Sequence, residues 1–517
     1  MIWGVGGGTL VIFLAVALPP LNPVAPGPSP QVFPLLVSWL CCATLIALYR
    51  PARVWPISWG WLLAALVSSV IALSQYIGVA ELFTPWMNTA SAGEAFGNLR
   101  QRNQFATLTN IGLAVILWWL ADVWQRDAEH TTQASPLVAP LPFTALAVPA
   151  AFAVLALLVT ANAASASRTG ILQLVMIVLL AGAWKSSYRW RLFATAVAGL
   201  AMYVLAAAVL PVLLERFFDV SGQNVLTRLA REEGCSSRKV LWSNVLHLIG
   251  QKPWAGWGWG ELDYAHYATL YPGERFCDIL DNAHNLPLHL AVELGIPVAL
   301  LGCAGICWLV LRAAPWRAVH PDQHLAWTVL AAIAVHSMVE YPLWYGPFQM
   351  AAGLSILLLW QAGRAAAEDT QTQAPTRPDT LARQCVAAAI TGAVLFAAWD
   401  YHRVSELYLP SEQRSARLRD DTLNKVKGSW LFRNQTRFAE LSITPLTPAN
   451  ATTMADLAAG LLHYSPERRV IETLIDSLML LRREDEALWH IARYRAAFPN
   501  EFEAWSRSHR APGSSAP

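Results

Sequence analysis

Apolar residues along this 517-residue chain come in long runs, not in the alternating or 3.6-residue patterns of soluble domains. A membrane-spanning helix needs roughly 20 such residues to cross about 30 Å of hydrocarbon. About eleven runs approach this length, at 2–19, 31–49, 57–78, 105–121, 143–160, 171–184, 192–214, 286–311, 325–340, 347–362 and 384–400. The pattern predicts an all-α polytopic membrane protein with about 11 transmembrane helices. The first residues of this run, "MIWGVGGG", include no basic residue, so we interpret the run as a span and not as a signal peptide.

Two long segments interrupt this pattern. The first is the loop 215–285, and the second is the tail 401–517, whose apolar residues recur at helical spacing. Stretches such as "ERRVIETLIDSLMLLRR" predict paired amphipathic helices that resemble a single tetratricopeptide-like (TPR-like) unit. We therefore expect a transmembrane domain over 1–400, which includes the long loop, and a C-terminal helical domain over 401–517.

The basic residues of the short loops indicate the orientation of the spans. Arg50, Arg53, Lys185, Arg189, Arg191, Arg312, Arg317, Arg364, Arg377 and Arg383 all fall on one face of the predicted bundle. The positive-inside rule makes that face, and the N-terminus with it, cytoplasmic. The opposite, outer face then carries the tail and four segments, 79–104, 161–170, 215–285 and 341–346.

Composition narrows the function classes. The net charge of +2 is too small to indicate a nucleic-acid-binding protein. Most of the seven cysteines lie in predicted spans, where a thiol is usually a small apolar filler. The other two, Cys235 and Cys277, share the long loop, and they are a candidate disulfide if that compartment is oxidising.

Four polar clusters fall on the outer face, where ionisable groups at span ends are candidates for a site. The first cluster, "NLRQRNQFATLTN", contributes Gln101, Asn103 and Gln104, which either bind a substrate or only cap and solvate a helix end. The second, "ASASRTG", places Arg168 in a tight turn. An outward arginine opposes the positive-inside bias, so it calls for either a bound anion such as phosphate or a structural carboxylate partner.

The third cluster belongs to the long loop. Arg238 and Lys239 begin a predicted amphipathic helix, and Trp254, Trp257 and Trp259 follow among glycines. These tryptophans are either an interfacial belt or a platform that a ligand approaches closely.

The same loop ends in "DILDNAHN", just before an apolar run. His284 can take a proton from a hydroxyl nucleophile, with Asp281 or another acceptor orienting its ring. Asn282 and Asn285 flank it as candidate substrate-binding residues. His284 and His289 are five apart on a predicted helix and so do not share a face, which argues against a metal site.

The fourth cluster is "HSMVEYPLWYGPF", at the turn between two predicted spans. Glu340 and Tyr341 lie at the membrane boundary, where Pro342 breaks the helix. The tyrosine is either an interfacial aromatic or part of a site. A lone carboxylate at the depth of Glu340 needs a partner.

Five stretches, in this order, carry a resemblance: "NLRQRNQFA", "SRTG", "SSRKVLW…PWAGWGWG", "NAHNLPLHLAVELGIP" and "HSMVEYPLWY". Together they resemble the bacterial protein O-oligosaccharyltransferases of the PglL (pilin glycosylation ligase) type, relatives of O-antigen ligases and polymerases. The resemblance implies a GT-C-like membrane glycosyltransferase of the bacterial inner membrane, with its active site and tail in the periplasm. It also implies transfer of a preassembled glycan from undecaprenyl diphosphate to Ser or Thr hydroxyls of exported proteins such as pilins, without a metal or other cofactor.

The resemblance also implies roles for individual residues. His284 matches the essential loop histidine, Arg168 and Arg238 match the arginines around the donor diphosphate, and Tyr341 matches the tyrosine of the "EYPLWY" motif. The Gln/Asn cluster is matched by Gln101 and Gln104. The alternatives for the loop arginine are Arg228, Arg231 and Arg275.

Three other functions are compatible with parts of the sequence. An O-antigen polymerase or a lipopolysaccharide ligase uses the same donor with a different acceptor. A lipid-linked glycan transporter should place ionisable groups near the bilayer midplane, whereas these clusters lie on one side. A structural scaffold gives no reason for Arg168 and Glu340.

Overall fold

A computed structural model of the chain describes residues 7–48, 54–133, 144–220, 234–367 and 377–509. Helices and short 3-10 turns account for the regular structure in these ranges, which contain no β-strand. The predicted all-α class is therefore confirmed. Of the alternative loop arginines, Arg228 and Arg231 lie outside the described residues.

Twenty α-helices are numbered here in chain order. The first ten are α1 Gly7–Leu21, α2 Val32–Leu48, α3 Val54–Tyr76, α4 Arg102–Gln133, α5 Thr144–Ala164, α6 Arg168–Ala183, α7 Arg189–Phe218, α8 Arg238–Gln251, α9 Leu262–Ala268 and α10 Leu286–Leu294. The others are α11 Ile296–Ala313, α12 Pro321–Ser337, α13 Gly346–Ala367, α14 Arg377–Ser405, α15 Thr422–Val426, α16 Arg433–Ile443, α17 Ala451–Leu462, α18 Arg468–Leu480, α19 Glu484–Ala497 and α20 Pro499–Ser508.

Six helical segments within the described ranges are long and apolar enough to cross a membrane. They are Val54–Tyr76, Arg102–Glu129, Thr144–Ala164, Arg189–Phe218, Ile296–Arg317 and Thr380–Tyr408. Helices α1, α2 and α6 are apolar but shorter. These lengths and compositions are those of a membrane protein.

The chain divides into two compact units. The bundle unit comprises 1–231 and 308–396, and the loop–tail unit comprises 232–307 and 397–517. The long loop thus clusters with the tail, a grouping that cuts across a linear division at residue 400. In the bundle unit, α4 packs against α3, α5, α6 and α12. Because α4 is central, polar residues that it carries can meet those of several neighbouring helices.

The loop–tail unit has its own core. Apolar faces of α17, α18 and α19 pack together, and Tyr267 from the loop helix α9 is buried among them. The Tyr267 hydroxyl lies 2.9 Å from His490 Nδ1, and Arg493 Nε donates to the Ala268 carbonyl at 2.7 Å. These contacts join the loop to the tail through both packing and hydrogen bonds.

Candidate functional site

The candidate residues fall into both units. Those in the bundle unit are Gln101, Asn103, Gln104, Arg168, Glu340 and Tyr341. Those in the loop–tail unit are Arg238, Lys239, Trp257, Asn282, His284 and Asn285. Each group has its own local geometry.

Arg168 is the first residue of α6. Ser167 caps this helix, since its hydroxyl accepts a hydrogen bond from Gly170 N at 3.1 Å. Ala166 precedes the cap in the left-handed region, with φ of 50°. The N–H groups and the dipole of a helix N-terminus favour an anion, and a guanidinium beside them adds positive charge. The turn "SRTG" therefore has the local chemistry of an anion site.

Asn103, in the first turn of α4, links this turn to Glu340. Its Nδ2 donates to Glu340 Oε1 at 3.1 Å, and its Oδ1 accepts from the Ser167 hydroxyl at 2.6 Å. Both ends of the amide are thus engaged within the protein. The contacts make Asn103 a positioning residue for the turn that carries Arg168.

A buried polar ladder continues below Asn103. Thr107, Asn110 and His336 lie within the quoted motifs, but the sequence does not show that they meet one another and Gln173. Thr107 Oγ1 lies 2.9 Å from His336 Nδ1 and accepts from Gln173 Nε2 at 2.8 Å. Asn110 Nδ2 donates to Gln173 Oε1 at 2.9 Å and to the Gly170 carbonyl at 3.0 Å. The sequence signal for this ladder is a set of uncharged amide side chains inside apolar runs. Such side chains need hydrogen-bond partners at that depth.

Gln101 and Gln104 occupy the start of α4. Gln101 Oε1 accepts from Gln104 N at 2.7 Å, which is the helix-capping role that the sequence left open. The neighbouring arginines are held by the protein: Arg100 donates to the Pro23 carbonyl, and Arg102 pairs with Glu94. The Gln104 side chain is buried, and its Oε1 has no hydrogen-bond partner in the described part of the chain.

Tyr341 immediately precedes the short 3-10 turn Pro342–Trp344 that follows α12. Its half-buried ring stacks on Tyr345 at 5.9 Å between centroids and meets the edge of Trp344 at 6.4 Å. Glu340 immediately precedes it and reaches Asn103. The lone carboxylate thus has the partner that its depth requires.

His284 adopts a left-handed backbone conformation, with φ of 50°. Asn282 Oδ1 accepts from His284 N at 2.8 Å, and Trp242 Nε1 donates to the Ala283 carbonyl at 3.1 Å. Asn285 caps α10 by accepting from Leu288 N at 3.1 Å. Positive φ is uncommon in non-glycine residues and is concentrated at functional sites. Hydrogen bonds of the neighbouring residues on both sides thus hold the backbone of the half-buried His284 in place.

The expectation that His284 and His289 share a helix is wrong. Helix α10 begins at Leu286, because Asn285 is its cap, so His284 precedes the helix. The ring of His289 lies inside α10, with Nε2 3.6 Å from Glu293 Oε2, and both of these side chains are buried. No group of three or more His, Cys, Asp or Glu residues suited to a metal was found among the described residues.

Arg238 has the same local setting as Arg168. It is the first residue of α8, and Ser237 caps that helix by accepting from Val240 N at 3.3 Å. Lys239 follows it and is exposed. Among the described residues, each unit thus contains one serine-capped helix that begins with arginine.

Trp257 is tied into the loop framework. Its N–H donates to the Val292 carbonyl at 2.9 Å, and its Nε1 donates to the Leu248 carbonyl at 3.1 Å. Lys252 Nζ lies 4.0 Å from the centroid of its ring. These contacts fasten the "PWAGWGWG" segment to α8 and α10, whereas Trp254 and Trp259 are exposed.

Two helices, α10 and α11, occupy the predicted span 286–311, so the start of the predicted span is wrong. Gly295 ends α10 with φ of 87°, and a Cβ there would lie 2.2 Å from the Trp254 carbonyl oxygen. A Cβ at Gly256 would lie 2.3 Å from the Glu293 backbone. The candidate span therefore begins at Ile296, and α10 belongs to the loop framework next to His284.

Acidic groups lie on the same loop. Burial raises the pKa of Asp263 to about 7, although Tyr264 N donates to its carboxylate, and Glu261 and Asp281 add to the increase. Burial also lowers the pKa of His266 to about 3. At neutral pH, His266 is thus uncharged, and the Asp263 pKa lies close to that pH.

Cys235 and Cys277 lie next to each other in the loop–tail unit. Their Cα atoms are 5.4 Å apart, a separation that a disulfide spans. Ser236 donates to Asp278 Oδ2 at 2.9 Å, which gives the two segments a second connection.

Comparison with known proteins identifies relatives for three parts of the chain. The family model for "O-Antigen ligase" matches 151–303, and that for "Virulence factor membrane-bound polymerase, C-terminal" matches 324–511. The model for "Protein glycosylation ligase" matches 95–121. The matched segments contain Arg168, His284 and Tyr341.

Three curated relatives share about a quarter of their aligned residues with the chain. A general O-oligosaccharyltransferase of Acinetobacter baylyi is 23% identical over 57% of this chain and 48% of its own length. A ComP-specific O-oligosaccharyltransferase of the same organism is 24% identical over 57% of this chain and 49% of its own length. An O-antigen ligase of Pseudomonas aeruginosa is 26% identical over 55% of this chain and 61% of its own length. The aligned part is about half the length of the first two relatives. The chain is thus related to the O-oligosaccharyltransferases and O-antigen ligases, as its five motifs indicate.

Proposed function

We propose that this chain is an inner-membrane glycosyltransferase that moves a preassembled oligosaccharide from undecaprenyl diphosphate to Ser or Thr hydroxyls of exported proteins such as pilins. The observation that carries the proposal is the recurring arrangement of an arginine at the start of a serine-capped helix, at Arg168 and Arg238. Both are suited to a diphosphate. The names of the Acinetobacter baylyi relatives support a protein acceptor.

The topology belongs to the same proposal. We infer about eleven spans in a GT-C-like arrangement, with a cytoplasmic N-terminus. The 215–285 loop and the 401–517 tail then lie in the periplasm, the tail as a TPR-like domain attached to a catalytic domain over 1–400. In this oxidising compartment Cys235 and Cys277 form a disulfide.

In the proposed mechanism, Arg168 and Arg238 hold the diphosphate of a donor whose lipid tail lies in the bilayer. His284 takes the proton from the acceptor hydroxyl as the hydroxyl oxygen attacks the anomeric carbon. A bond forms from that carbon to the acceptor oxygen, and the bond to the diphosphate oxygen breaks. The electron pair leaves with the undecaprenyl diphosphate, whose charge the arginines neutralise. Direct displacement inverts the anomeric carbon.

The remaining site residues support this reaction. Asn282 positions His284 through a hydrogen bond to its N–H, and Asn285 caps the helix that follows it. Asn103 and Glu340 position the Arg168 turn in a similar way. We propose substrate contacts for Gln101, Gln104, Lys239 and Trp257, and a catalytic role for Tyr341.

Intact-mass analysis of a pilin tests the function. The pilin is co-expressed with a lipid-linked glycan pathway, with and without this chain. A glycan-sized mass increment that requires the chain is expected. An unmodified pilin, despite donor accumulation and normal membrane expression of the chain, would contradict a protein acceptor of this kind.

The second candidate is an O-antigen polymerase or lipopolysaccharide ligase. It is favoured by the O-antigen ligase match over 151–303 and the polymerase match over 324–511. The same cells distinguish it, because a lengthened polysaccharide ladder or a modified lipopolysaccharide would then depend on the chain while the pilin stays unmodified.

A further inference from the structure

The end of α14 changes abruptly from apolar to charged residues. Leu395, Phe396 and Trp399 are exposed apolar side chains on this candidate span. Asp400 and Arg403 follow directly. Because charged groups are costly in hydrocarbon, this change of composition marks the membrane boundary on α14. Arg403 lies over the Trp399 ring at 4.5 Å, an aromatic–basic pair suited to the interface.

A turn of the tail is fixed at this boundary. Asp400 is only 1% exposed, and its Oδ2 accepts from the Ser429 hydroxyl at 2.9 Å and from Leu431 N at 3.1 Å. Arg403 adds a contact of 3.7 Å to the other carboxylate oxygen. Two residues that flank Trp430 thus bond to one buried carboxylate. The backbone at Trp430 is therefore held beside the boundary residue of α14.

The same turn separates its aromatic side chains. Phe432 is buried and packs on Tyr401 with 4.9 Å between ring centroids. Trp430 is 78% exposed and Leu431 is 45% exposed. The turn therefore exposes the apolar side chains of Trp430 and Leu431, while Phe432 is buried and the turn stays hydrogen-bonded to the buried Asp400.

Basic residues flank that apolar surface. Lys427 and Arg433 are both exposed, on either side of the "GSWLF" stretch. Lys427 pairs with Glu440 at 2.8 Å, which leaves part of its ammonium open to a further anion. Tryptophan favours the headgroup level of a bilayer, and lysine and arginine favour lipid phosphates. The pattern matches an interfacial anchor.

We propose that the turn 427–433 inserts into the lipid headgroup boundary, with Trp430 and Leu431 at the acyl edge and Lys427 and Arg433 against phosphates. The partner is the bilayer leaflet that holds the C-terminal end of α14. The turn thereby tethers the tail to the membrane surface at a second point besides α14 itself. This inference concerns lipid contact only and does not depend on the proposed function.

Spin labelling of the full chain in liposomes of phosphatidylethanolamine and phosphatidylglycerol tests the tether. The free cysteines Cys41, Cys42, Cys303, Cys307 and Cys385 are replaced with alanine. A nitroxide is then placed at Trp430→Cys or at Leu431→Cys. Leu488→Cys is the matched control, an apolar residue of the tail that is 61% exposed and lies on α19. Collision with oxygen, which concentrates in the bilayer, is compared with collision with a water-soluble nickel chelate.

The proposal expects the ratio of oxygen to nickel collisions at 430 and 431 to exceed the ratio at 488 several-fold. It also expects Asp400→Asn to lower the ratio at 430, because the buried carboxylate no longer fixes the turn. Equal ratios at all three positions would overturn the proposal. So would dominant nickel collisions at both 430 and 431, since both labels replace exposed side chains and leave the core intact.

Discussion

At the scale of single residues, the Arg168 guanidinium is the group whose shape matters most to the proposed donor site. Replacing it with lysine keeps the charge but loses the planar pair of donors that matches phosphate oxygens. We expect Arg168→Lys to lower turnover by on the order of 100-fold, comparable to the removal of one oxyanion donor. Transfer rate and donor binding, measured on purified protein in liposomes, check this. Wild-type turnover would place the diphosphate elsewhere.

The contribution of the Asn103–Glu340 hydrogen bond to stability can be tested without knowledge of the substrate. Asn103→Asp replaces the donor 3.1 Å from Glu340 Oε1 with a carboxylate, so two like charges meet. We expect a loss of about 1–3 kcal/mol in stability, the range for a polar group that loses its hydrogen-bond partner. Adding Glu340→Gln restores a donor and an acceptor, so the double variant should recover most of the loss.

Thermal unfolding in detergent measures this cycle of variants. The control is Asn434→Asp, at an exposed position on α16, which should leave the midpoint unchanged. Equal midpoints for Asn103→Asp and wild type, or no recovery in the double variant, would remove Asn103 from its positioning role.

At the scale of elements, the framework around His284 depends on two glycines. Gly295 and Gly256 both have positive φ, and a Cβ at either would lie 2.2–2.3 Å from backbone atoms. Gly295→Ala should therefore destabilise the loop–tail unit by several kcal/mol. The two backbone segments in contact, at Gly295 and at Trp254, cannot move apart without breaking hydrogen bonds. Gly250→Ala is the matched control, since no atom lies within 4 Å of its Cβ.

Limited proteolysis of the loop and thermal unfolding check this pair of variants. Faster cleavage and a lower midpoint are expected for Gly295→Ala. For Gly250→Ala, in helix α8, stability should be unchanged or higher by up to about 1 kcal/mol. Similar behaviour of the two variants would mean that the close contact between α10 and the "PWAGWGWG" segment is not rigid.

These elements also show what the sequence could and could not predict. Long apolar runs predict helices, because hydrocarbon requires every backbone group to be bonded internally. The run 286–311 predicts one span because hydropathy does not detect the break at Gly295, whose contact with Trp254 joins residues that are far apart in the sequence. The motifs contain Arg168, His284 and also Thr107, but the hydrogen bond between Thr107 and Gln173 depends on helix neighbours that no local pattern specifies.

At the scale of the whole molecule, the pairing of Cys235 and Cys277 reports on the compartment of the loop–tail unit. Their Cα separation of 5.4 Å allows a disulfide, and a periplasmic loop would be oxidised. Mass spectrometry of a non-reduced digest of membrane-extracted protein should find one cross-linked peptide pair. Two free thiols in protein alkylated before lysis would contradict the proposed location of this loop.

The central claim is that His284 is the base for transfer to a hydroxyl, and the initial rate of glycan transfer in liposomes tests it most directly. Purified wild type, His284→Ala and the control His463→Ala, on the exposed surface of the tail, receive the same lipid-linked donor and protein acceptor. We predict a loss of at least about 100-fold for His284→Ala alone, with unchanged donor binding and folding. A rate for His284→Ala within a factor of about two of wild type would contradict the account.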